Sequence, residues 1–388
     1  MHRTKVRARC RGLLVLAAGA GCALTASTVL ASAATVHAAS EGPSTQGPAA
    51  LTSPVYTTTA GQFDAVTAIS ADDAWAVGQK AYGSESFLIA HWNGHTWATF
   101  PGPVLRRSAV LADVAASSAR NVWAVGAVSS PDGSRTLILH FNGARWSRVL
   151  SPDPSDPAGL YSVTVSRSGA AWAVGSSFPR KGGEDPLVLG LTGRKWREEP
   201  LQPSASNPGL TATSLDTVAA GSADSAWAVG QGPPGYFITF VRWHAKHWLV
   251  TGSSGIENGY LQALALAPHG QVWAVGRVGA GPLIMRYSRS SWRRERTPES
   301  ARGAWLNSVA VSRDGAAWAV GQAPGERGVI LRWTGHGWRA VPVPDISIAG
   351  STGAILVGVA ASSSGEAWAI GVTDGGDGFI LRWNGPDW

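Results

Sequence analysis

The hydrophobic positions of this chain recur seven times in one fixed order. Each copy begins with an apolar run, such as residues 306–311, and continues through a Ser, Asp or Gly turn into a Trp-Ala-Val-Gly stretch, such as residues 318–321. A third apolar run, residues 329–333, a tight turn at Gly335 and a second tryptophan, Trp338, complete the copy. Short apolar runs between turn residues, without helical periodicity, predict four β-strands in each repeat.

Two tryptophan columns mark the repeats. The first column, in which a glycine follows each tryptophan three residues later, consists of Trp75, Trp123, Trp172, Trp227, Trp273, Trp318 and Trp368. The second column consists of Trp97, Trp146, Trp196, Trp248, Trp292, Trp338 and Trp388. Burial of one tryptophan contributes roughly 4–6 kcal/mol, whereas a surface ion pair contributes about 0–1 kcal/mol. These columns are therefore predicted to form the core.

The spacings between repeat positions distinguish two ends of each repeat. The distance from the central apolar residue of the first strand to the first tryptophan is 9 residues in all seven copies. The distance from the last bulky residue of the third strand to the second tryptophan is 5 residues in all seven. By contrast, the distance from the first tryptophan to the last bulky residue of the third strand, which includes the strand 2–3 loop, varies from 14 to 19 residues. The distance from the second tryptophan to the central apolar residue of the next repeat varies from 16 to 22 residues.

In an antiparallel four-stranded unit the strand 1–2 and strand 3–4 turns lie at one end, called here the turn edge. The strand 2–3 loops and the links between repeats lie at the other end, called here the loop edge. All the length variation therefore falls at the loop edge. Repeat proteins usually bind their partners on the face that carries insertions, so the loop edge is the hypothetical working surface. Drift in unconstrained loops is the alternative explanation.

The repeat predicts an all-β fold, a seven-bladed β-propeller of four-stranded antiparallel blades spanning residues 51–388. The sequence ends at Trp388, where the fourth strand of the last blade would begin. Residues 54–59 are apolar and threonine-rich. We expect this N-terminal segment to supply the missing outer strand and so to close the ring.

The segment before the repeats is typical of a protein for export. Residues 1–38 combine five basic residues, an apolar run over 13–33 and small residues suited to cleavage after Ala33 or Ala38, the pattern of a secretory signal peptide. An uncleaved membrane anchor is the alternative. Residues 39–50 are rich in Ser, Gly, Pro and Ala and are predicted to be a disordered linker. The expected location is extracellular.

Removal of the signal peptide changes the charge and the cysteine count. Five of the 32 Lys and Arg residues lie in it, which leaves 27 against 25 acidic residues and lowers the formal net charge from +7 to +2. Both cysteines, Cys10 and Cys22, would also be removed, so burial alone must stabilise the mature fold. A nearly balanced charge argues against nucleic acid as a partner. We expect a monomer with no membrane span after cleavage.

Two stretches resemble a known kind of repeat. Residues 121–126 (Asn-Val-Trp-Ala-Val-Gly) and 137–146 (Leu-Ile-Leu-His-Phe-Asn-Gly-Ala-Arg-Trp) resemble units found in secreted actinobacterial and related bacterial proteins, most of which have no assigned activity. Residues 310–321 are more remotely similar to tectonin-type lectin repeats, which are usually six-bladed sugar binders. The resemblance covers residues 51–388 and implies a propeller, with sugar binding as an expectation by analogy.

The sequence contains no convincing motif for a metal site, a cofactor or a catalytic residue, and we expect none of the three. His244 and His247 are three residues apart, but a lone pair of histidines without a third ligand is weak evidence for zinc. The glycines form neither a phosphate-binding loop before a helix nor a nucleophile elbow. Solvated turn histidines are the simpler interpretation.

The candidate ligand-binding residues belong to two groups at the loop edge. The first group lies two residues before the central apolar residue of the first strand, or directly after a repeat glycine, and consists of Asp64, Tyr161, Asp216, Gln262, Asn307 and Arg277. Carboxylates, amides and an arginine around a concave mouth suit hydroxyl-rich ligands. The second group consists of the aromatic residues Tyr82, Tyr236 and Trp305, on which a sugar ring could stack. The alternatives are groups that hydrate a water-filled channel and singly exposed aromatics of no function.

Three functions compete. The leading hypothesis is a secreted, non-catalytic binding module, lectin-like, that recognises a glycan or another cell-surface polymer through its loop edge. A glycoside hydrolase or lyase would need two carboxylates about 5–10 Å apart. Asp64 and Asp216 are the only carboxylates in the first group, and they occupy the first and fourth repeats, across the ring. A scaffold for a protein partner is the third hypothesis.

Overall fold

The computed structural model describes residues 56–58, 61–80, 87–152, 154–203, 208–232, 237–344, 346, 353–362, 365–383, 385 and 388. The predicted signal peptide and linker lie outside these residues. Within them the regular elements are 29 strands and two short 3₁₀ turns, Pro268–Gly270 and Glu299–Ala301. No helix in this part of the chain has the length and apolarity needed to cross a membrane.

The strands follow the predicted order of four in each repeat. Those of the N-terminal segment and the first three repeats are β1 (Tyr56–Thr58), β2 (Gly61–Ser70), β3 (Asp73–Lys80), β4 (Phe87–Trp92), β5 (Trp97–Thr99), β6 (Ala109–Ser118), β7 (Asn121–Ser130), β8 (Gly133–Phe141), β9 (Trp146–Val149), β10 (Ala158–Val165), β11 (Ala171–Ser177), β12 (Asp185–Thr192) and β13 (Lys195–Glu198).

The remaining strands belong to repeats four to seven. They are β14 (Leu201–Gln202), β15 (Ser214–Ser222), β16 (Ser225–Gly232), β17 (Phe237–His244), β18 (His247–Ser253), β19 (Gly259–Leu266), β20 (Val272–Val278), β21 (Gly281–Ser288), β22 (Ser291–Arg294), β23 (Trp305–Val311), β24 (Ala317–Ala323), β25 (Arg327–Trp333), β26 (Trp338–Val341), β27 (Ala354–Ala361), β28 (Ala367–Thr373) and β29 (Gly378–Trp383).

The number of separate sheets corrects the prediction of seven. The described strands form six hydrogen-bonded sheets: four of four strands, one of five and one of eight. In the eight-stranded sheet a single parallel bridge between Arg327 and Ala354 joins the sixth repeat to the seventh. The short strand β14 adds to the outer strand β18 of the fourth repeat and makes the sheet of five. The four-stranded antiparallel pattern itself is present in each of the seven repeats.

The first strands of the repeats form a closed inner circle. These inner strands are β2, β6, β10, β15, β19, β23 and β27, and each packs against the inner strand of the next repeat. The last of them, β27, packs against the first, β2. The sheets therefore stand around a central axis as a β-propeller, with strand order running outward from it.

The N-terminal strand closes the ring, as predicted. β1 pairs antiparallel with β29, and Tyr56, Thr57 and Thr58 lie opposite Ile380, Phe379 and Gly378. The outer edge of β29 would otherwise present unpaired backbone groups to solvent. The seventh repeat is thus completed by residues from the opposite end of the chain.

Deletion of residues 51–60 is expected to lower the melting temperature of the mature chain by about 5 °C or more, because it removes the outer strand of the seventh repeat. Circular dichroism during heating measures this. Deletion of residues 39–50 instead serves as the matched control and should leave the melting temperature unchanged. Equal melting temperatures for the two deletions would contradict closure through β1.

The hydrophobic core lies between repeats. The buried side chains of the described residues group into seven clusters, one at each seam between neighbouring repeats. At each seam the first tryptophan of one repeat packs against the third and fourth strands of the next. Trp318, for example, lies 4.7 Å from Trp383 and 5.2 Å from Trp388 between ring centroids. Trp368 of the last repeat contacts Trp92 and Trp97 of the first in the same way.

A column of cationic or imidazole side chains covers the first tryptophans from the neighbouring strand of the same repeat. The strand 2–3 register places His91, His140, Gly190, Arg242, Arg286, Arg332 and Arg382 opposite the seven first tryptophans. The imidazole of His140 stacks on Trp123 at 4.1 Å, and burial lowers the pKa of His140 below its usual value. The guanidinium of Arg332 lies 5.0 Å from the ring centre of Trp318. The third repeat, with Gly190, is the exception.

Candidate functional site

Every inner strand carries a β-bulge at the same place near the loop edge. The register with the second strand shifts by one residue there, and the extra residues are Asp64, Ala112, Tyr161, Asp216, Gln262, Asn307 and Val357. The first group of candidate residues therefore owes its position to one shared backbone irregularity. Bulges re-aim side chains and are frequent beside functional sites.

The repeat glycine explains why the backbone takes this shape. A Cβ on Gly230 would lie 1.8 Å from the carbonyl oxygen of Ser214 on the inner strand. Gly126, Gly175, Gly276 and Gly321 show the same approach, at 1.9–2.0 Å. Only glycine allows the two strands to come this close. The Trp-Ala-Val-Gly stretch thus fixes both the indole in the seam and the bulge opposite it.

A central cavity of about 190 Å³ lies on the axis of the ring. Residues from the inner strands of all seven repeats line it, and its polar members include Asp64, Asp113, Ser162, Thr217 and Ser308. Of the first group of candidates, only Asp64 is among the lining residues. The side-chain amides of Gln62 and Gln79 each donate to its carboxylate at 3.4 Å.

Asp113 is a polar group at the cavity that sequence reasoning missed. Its Oδ2 accepts hydrogen bonds from the hydroxyl of Ser162 at 2.8 Å and from the backbone N–H of Val163 at 2.9 Å, both in the next repeat. Its Oδ1 accepts from the backbone N–H of Val114 at 2.9 Å. The signal that could have identified it is its place directly before the central apolar residue, where the third, fourth and sixth repeats carry Ser162, Thr217 and Ser308.

These polar residues connect neighbouring inner strands. Ser162, Thr217 and Ser308 accept hydrogen bonds from the backbone N–H groups of Val218, Leu264 and Val359, each one repeat further on. The distances are 3.3, 3.3 and 3.2 Å. The cavity wall is therefore largely a set of links between seams, and the polar groups that form these links are engaged in the fold.

The remaining members of the first group are half-buried at the loop edge. Asn307 donates from its side-chain amide to the carbonyl oxygen of Leu356 in the next repeat at 2.8 Å. Tyr161, Asp216 and Gln262 are each partly exposed on the bulges of the third, fourth and fifth repeats. Their roles as ligand contacts stay predictions.

The seam between the fifth and sixth repeats brings two predicted residues together. The guanidinium of Arg277 lies 4.4 Å from the ring centre of Trp305, and both side chains are partly exposed. Tyr260 lies directly opposite Arg277 in the β19–β20 register, and Gln322 lies opposite Trp305 in the β23–β24 register. Two aromatic side chains, a guanidinium and an amide therefore lie at one edge of the protein, beside the bulge residues Gln262 and Asn307.

Other predicted residues are placed elsewhere or are not described. Tyr82 and Tyr236 lie outside the described residues. His244 and His247 face each other across the β17–β18 turn, whose residues Ala245 and Lys246 adopt positive φ values of 50° and 66°. Within the part of the chain that the structure describes, no three His, Cys, Asp or Glu residues are grouped to hold a metal ion.

Comparisons with known proteins agree on the fold. No protein-family model matches the chain, and no curated protein sequence matches it. Similar solved structures include a YCF48 bound to a D1 peptide, 15% identical, covering 85% of this chain and 94% of that one with a TM-score of 0.54. The virginiamycin B lyase of Staphylococcus aureus is 14% identical over 85% of this chain and 99% of its own, with a TM-score of 0.55. The RRP9 WD40 repeats are 11% identical over 84% and 96%, with a TM-score of 0.54. At such identities the likeness concerns the β-propeller fold alone.

Proposed function

We propose that this chain is a secreted, non-catalytic binding propeller of seven blades, counting each four-stranded repeat as one blade, and that it binds an extracellular glycan at its loop edge. The observation that carries the proposal is the Arg277–Trp305 pair, with Tyr260 opposite Arg277 in the strand register. Secretion rests on the signal-peptide pattern of residues 1–38, with 39–50 as the linker to the propeller.

The chemistry of this edge fits a sugar ring. An indole offers an apolar face to the C–H groups of a pyranose, and a guanidinium held against that indole presents its N–H groups in a fixed fork. The amides of Gln262, Asn307 and Gln322 at the same edge add groups that both donate and accept hydrogen bonds. Weak, partly exposed polar and aromatic contacts of this kind suit a polymer that binds through many repeated units.

The alternatives are cleavage of a glycan at the central cavity, by a glycoside hydrolase or a lyase, and binding of a protein partner. The cavity holds Asp64 and Asp113, but Asp113 accepts three hydrogen bonds, two of which link neighbouring inner strands. A carboxylate engaged in this way is a poor general base or nucleophile, which favours binding over catalysis. A peptide bound to a protein of the same fold makes a protein partner the more serious alternative.

The test is binding of the secreted chain to a glycan array and to isolated cell-wall polysaccharides. Replacement of Trp305 or Arg277 by alanine is expected to weaken binding by about tenfold or more, because each removes one half of the stacked pair. Asp216→Ala, on the neighbouring fourth repeat, should have a smaller effect. His95→Ala, an exposed turn-edge substitution, is the matched control and should bind like the wild type.

Two results would overturn the proposal. The first is an absence of binding to every polysaccharide and wall fraction by the wild-type chain. The second is a Trp305→Ala variant that binds as tightly as the His95→Ala control. Release of shorter saccharides during the assay would instead favour the hydrolase or lyase alternative.

A further inference from the structure

The third repeat carries a cavity that the other repeats fill with one of their own side chains. Its volume is about 400 Å³, and it lies where the third and fourth repeats meet. Its lining includes Trp172, Gly190, Glu199, Asp224 and Trp243. Gly190 lies opposite Trp172 in the β11–β12 register, at the position where the other repeats carry an arginine or a histidine.

The fifth repeat shows what normally occupies this place. Arg286 lies 5.3 Å from the ring centres of both Trp273 of its own repeat and Trp333 of the next, and its Nε is 2.7 Å from a carboxylate oxygen of Glu295. The sixth and seventh repeats place Arg332 and Arg382 over equivalent tryptophan pairs. A guanidinium between two indoles is thus a standard component of this fold.

The third repeat retains the surroundings of that guanidinium. Trp172 and Trp243 pack with ring planes 56° apart, the same angle as Trp273 and Trp333, and with ring centres 5.7 Å apart instead of 4.9 Å. Glu199 follows the second tryptophan of its repeat by three residues, as Glu295 does. A Cβ on Gly190 would meet the Glu199 carboxylate at 2.8 Å, so this carboxylate already reaches the position of the missing side chain.

The electrostatics of the cavity favour a cation. Burial raises the pKa of Glu199, with His247 and Arg197 acting in the opposite direction. The salt bridges among the described residues include neither Glu199 nor Asp224. Lys246 and Asp224 also line the cavity, and both are exposed on turns, so the partly buried Glu199 is the main charge of the site. A partly buried carboxylate between two indole rings forms the surroundings in which guanidinium groups are bound.

We propose that this cavity binds an alkylguanidinium group, the side chain of an arginine, in the place that Arg286 occupies in the fifth repeat. The site lies at the turn edge, opposite the loop edge to which the glycan is assigned. It therefore adds a second binding surface and does not depend on the first. The ligand enters from outside, because the third repeat supplies glycine where other repeats supply the cation.

Isothermal titration calorimetry with N-acetylarginine amide tests the proposal in the mature protein. We expect saturable binding in the range of about 0.1–10 mM. Glu199→Gln should weaken binding by about tenfold, because it removes the charge opposite the guanidinium. Glu295→Gln is the matched control, since it changes the equivalent carboxylate where Arg286 already occupies the site, and it should leave binding of the probe unchanged.

Gly190→Arg provides a second, independent test. An arginine at this position should fill the cavity from within, abolish binding of the probe and raise the melting temperature. Absence of binding by the wild type, or equal binding by the wild type, Glu199→Gln and Gly190→Arg, would overturn the proposal. A parallel titration with free arginine and with an arginine-containing peptide distinguishes an amino acid ligand from a peptide ligand, while N-acetyllysine amide should bind more weakly because it lacks the planar fork.

Discussion

Replacement of Gly230 by alanine is expected to destabilise the protein by about 3 kcal/mol. The new Cβ would lie 1.8 Å from the carbonyl oxygen of Ser214, an atom of the backbone that cannot rotate away as a side chain could. Relief of the clash requires β15 and β16 to separate, which also disturbs the bulge at Asp216. The midpoint of thermal unfolding, followed by circular dichroism, measures the loss.

The matched control is Gly252→Ala in the outer strand of the same repeat. A Cβ on Gly252 meets no atom within 4 Å, so this substitution should leave the melting temperature within about 1 °C of the wild type or raise it slightly. If both alanine variants have the melting temperature of the wild type, the close approach at the repeat glycine is not a requirement of the fold.

Replacement of Trp318 by alanine is expected to destabilise the protein by about 3–5 kcal/mol. Trp318 is 1% exposed and fills the seam between the sixth and seventh repeats, where it packs against Trp383 and Trp388. Its removal leaves a cavity that two neighbouring indoles and the guanidinium of Arg332 cannot fill without moving. Chemical denaturation monitored by tryptophan fluorescence measures the loss.

Trp292→Ala gives the graded comparison. Trp292 belongs to the second tryptophan column but is only partly buried, so its removal should cost clearly less than that of Trp318. Equal losses at the two positions would show that exposure does not set the contribution of the tryptophans, and would count against the seams as the source of stability.

The fold could be predicted because its strongest signals are local and repeated. The invariant spacing around the two tryptophan columns reports the hairpins of each repeat, and these pack as expected. Closure by β1 was also predictable, since residues 54–59 have the apolar and threonine-rich composition of a strand. The joining of the sixth and seventh repeats was not, because the bridge from Arg327 to Ala354 is a single pairing between strands of two repeats, which no residue pattern reports.

The candidate site could be predicted only in part. Arg277 and Trp305 were each predicted from their places at the loop edge. Their contact crosses the seam between two repeats, and sequence spacing does not indicate which side chains touch across a seam. Asp113 is not evident from the sequence because it stands one residue after the bulge position, at a place where the repeats carry Ala, Asp, Ser, Thr or Gly with no common chemistry. The cavity at Gly190 is not evident from the sequence. Its meaning comes from the strand register, which places Arg or His opposite the first tryptophan in the other repeats.

The links between inner strands are unevenly distributed, and this bears on how the ring is assembled. The residue directly before the central apolar position is Ala65 in the first repeat, Ala263 in the fifth and Gly358 in the seventh, and none of these side chains can accept a hydrogen bond. Both seams of the first repeat, and the seam between the fifth and sixth repeats, therefore lack the connection that Asp113, Ser162, Thr217 and Ser308 provide at the other four seams. During synthesis the first repeat leaves the ribosome early, yet β1 must wait for β29, which lies more than 300 residues further along the chain. A nascent chain consequently carries an open strand edge until β29 has been made, and a chain terminated before β29 would present that edge to other copies of itself.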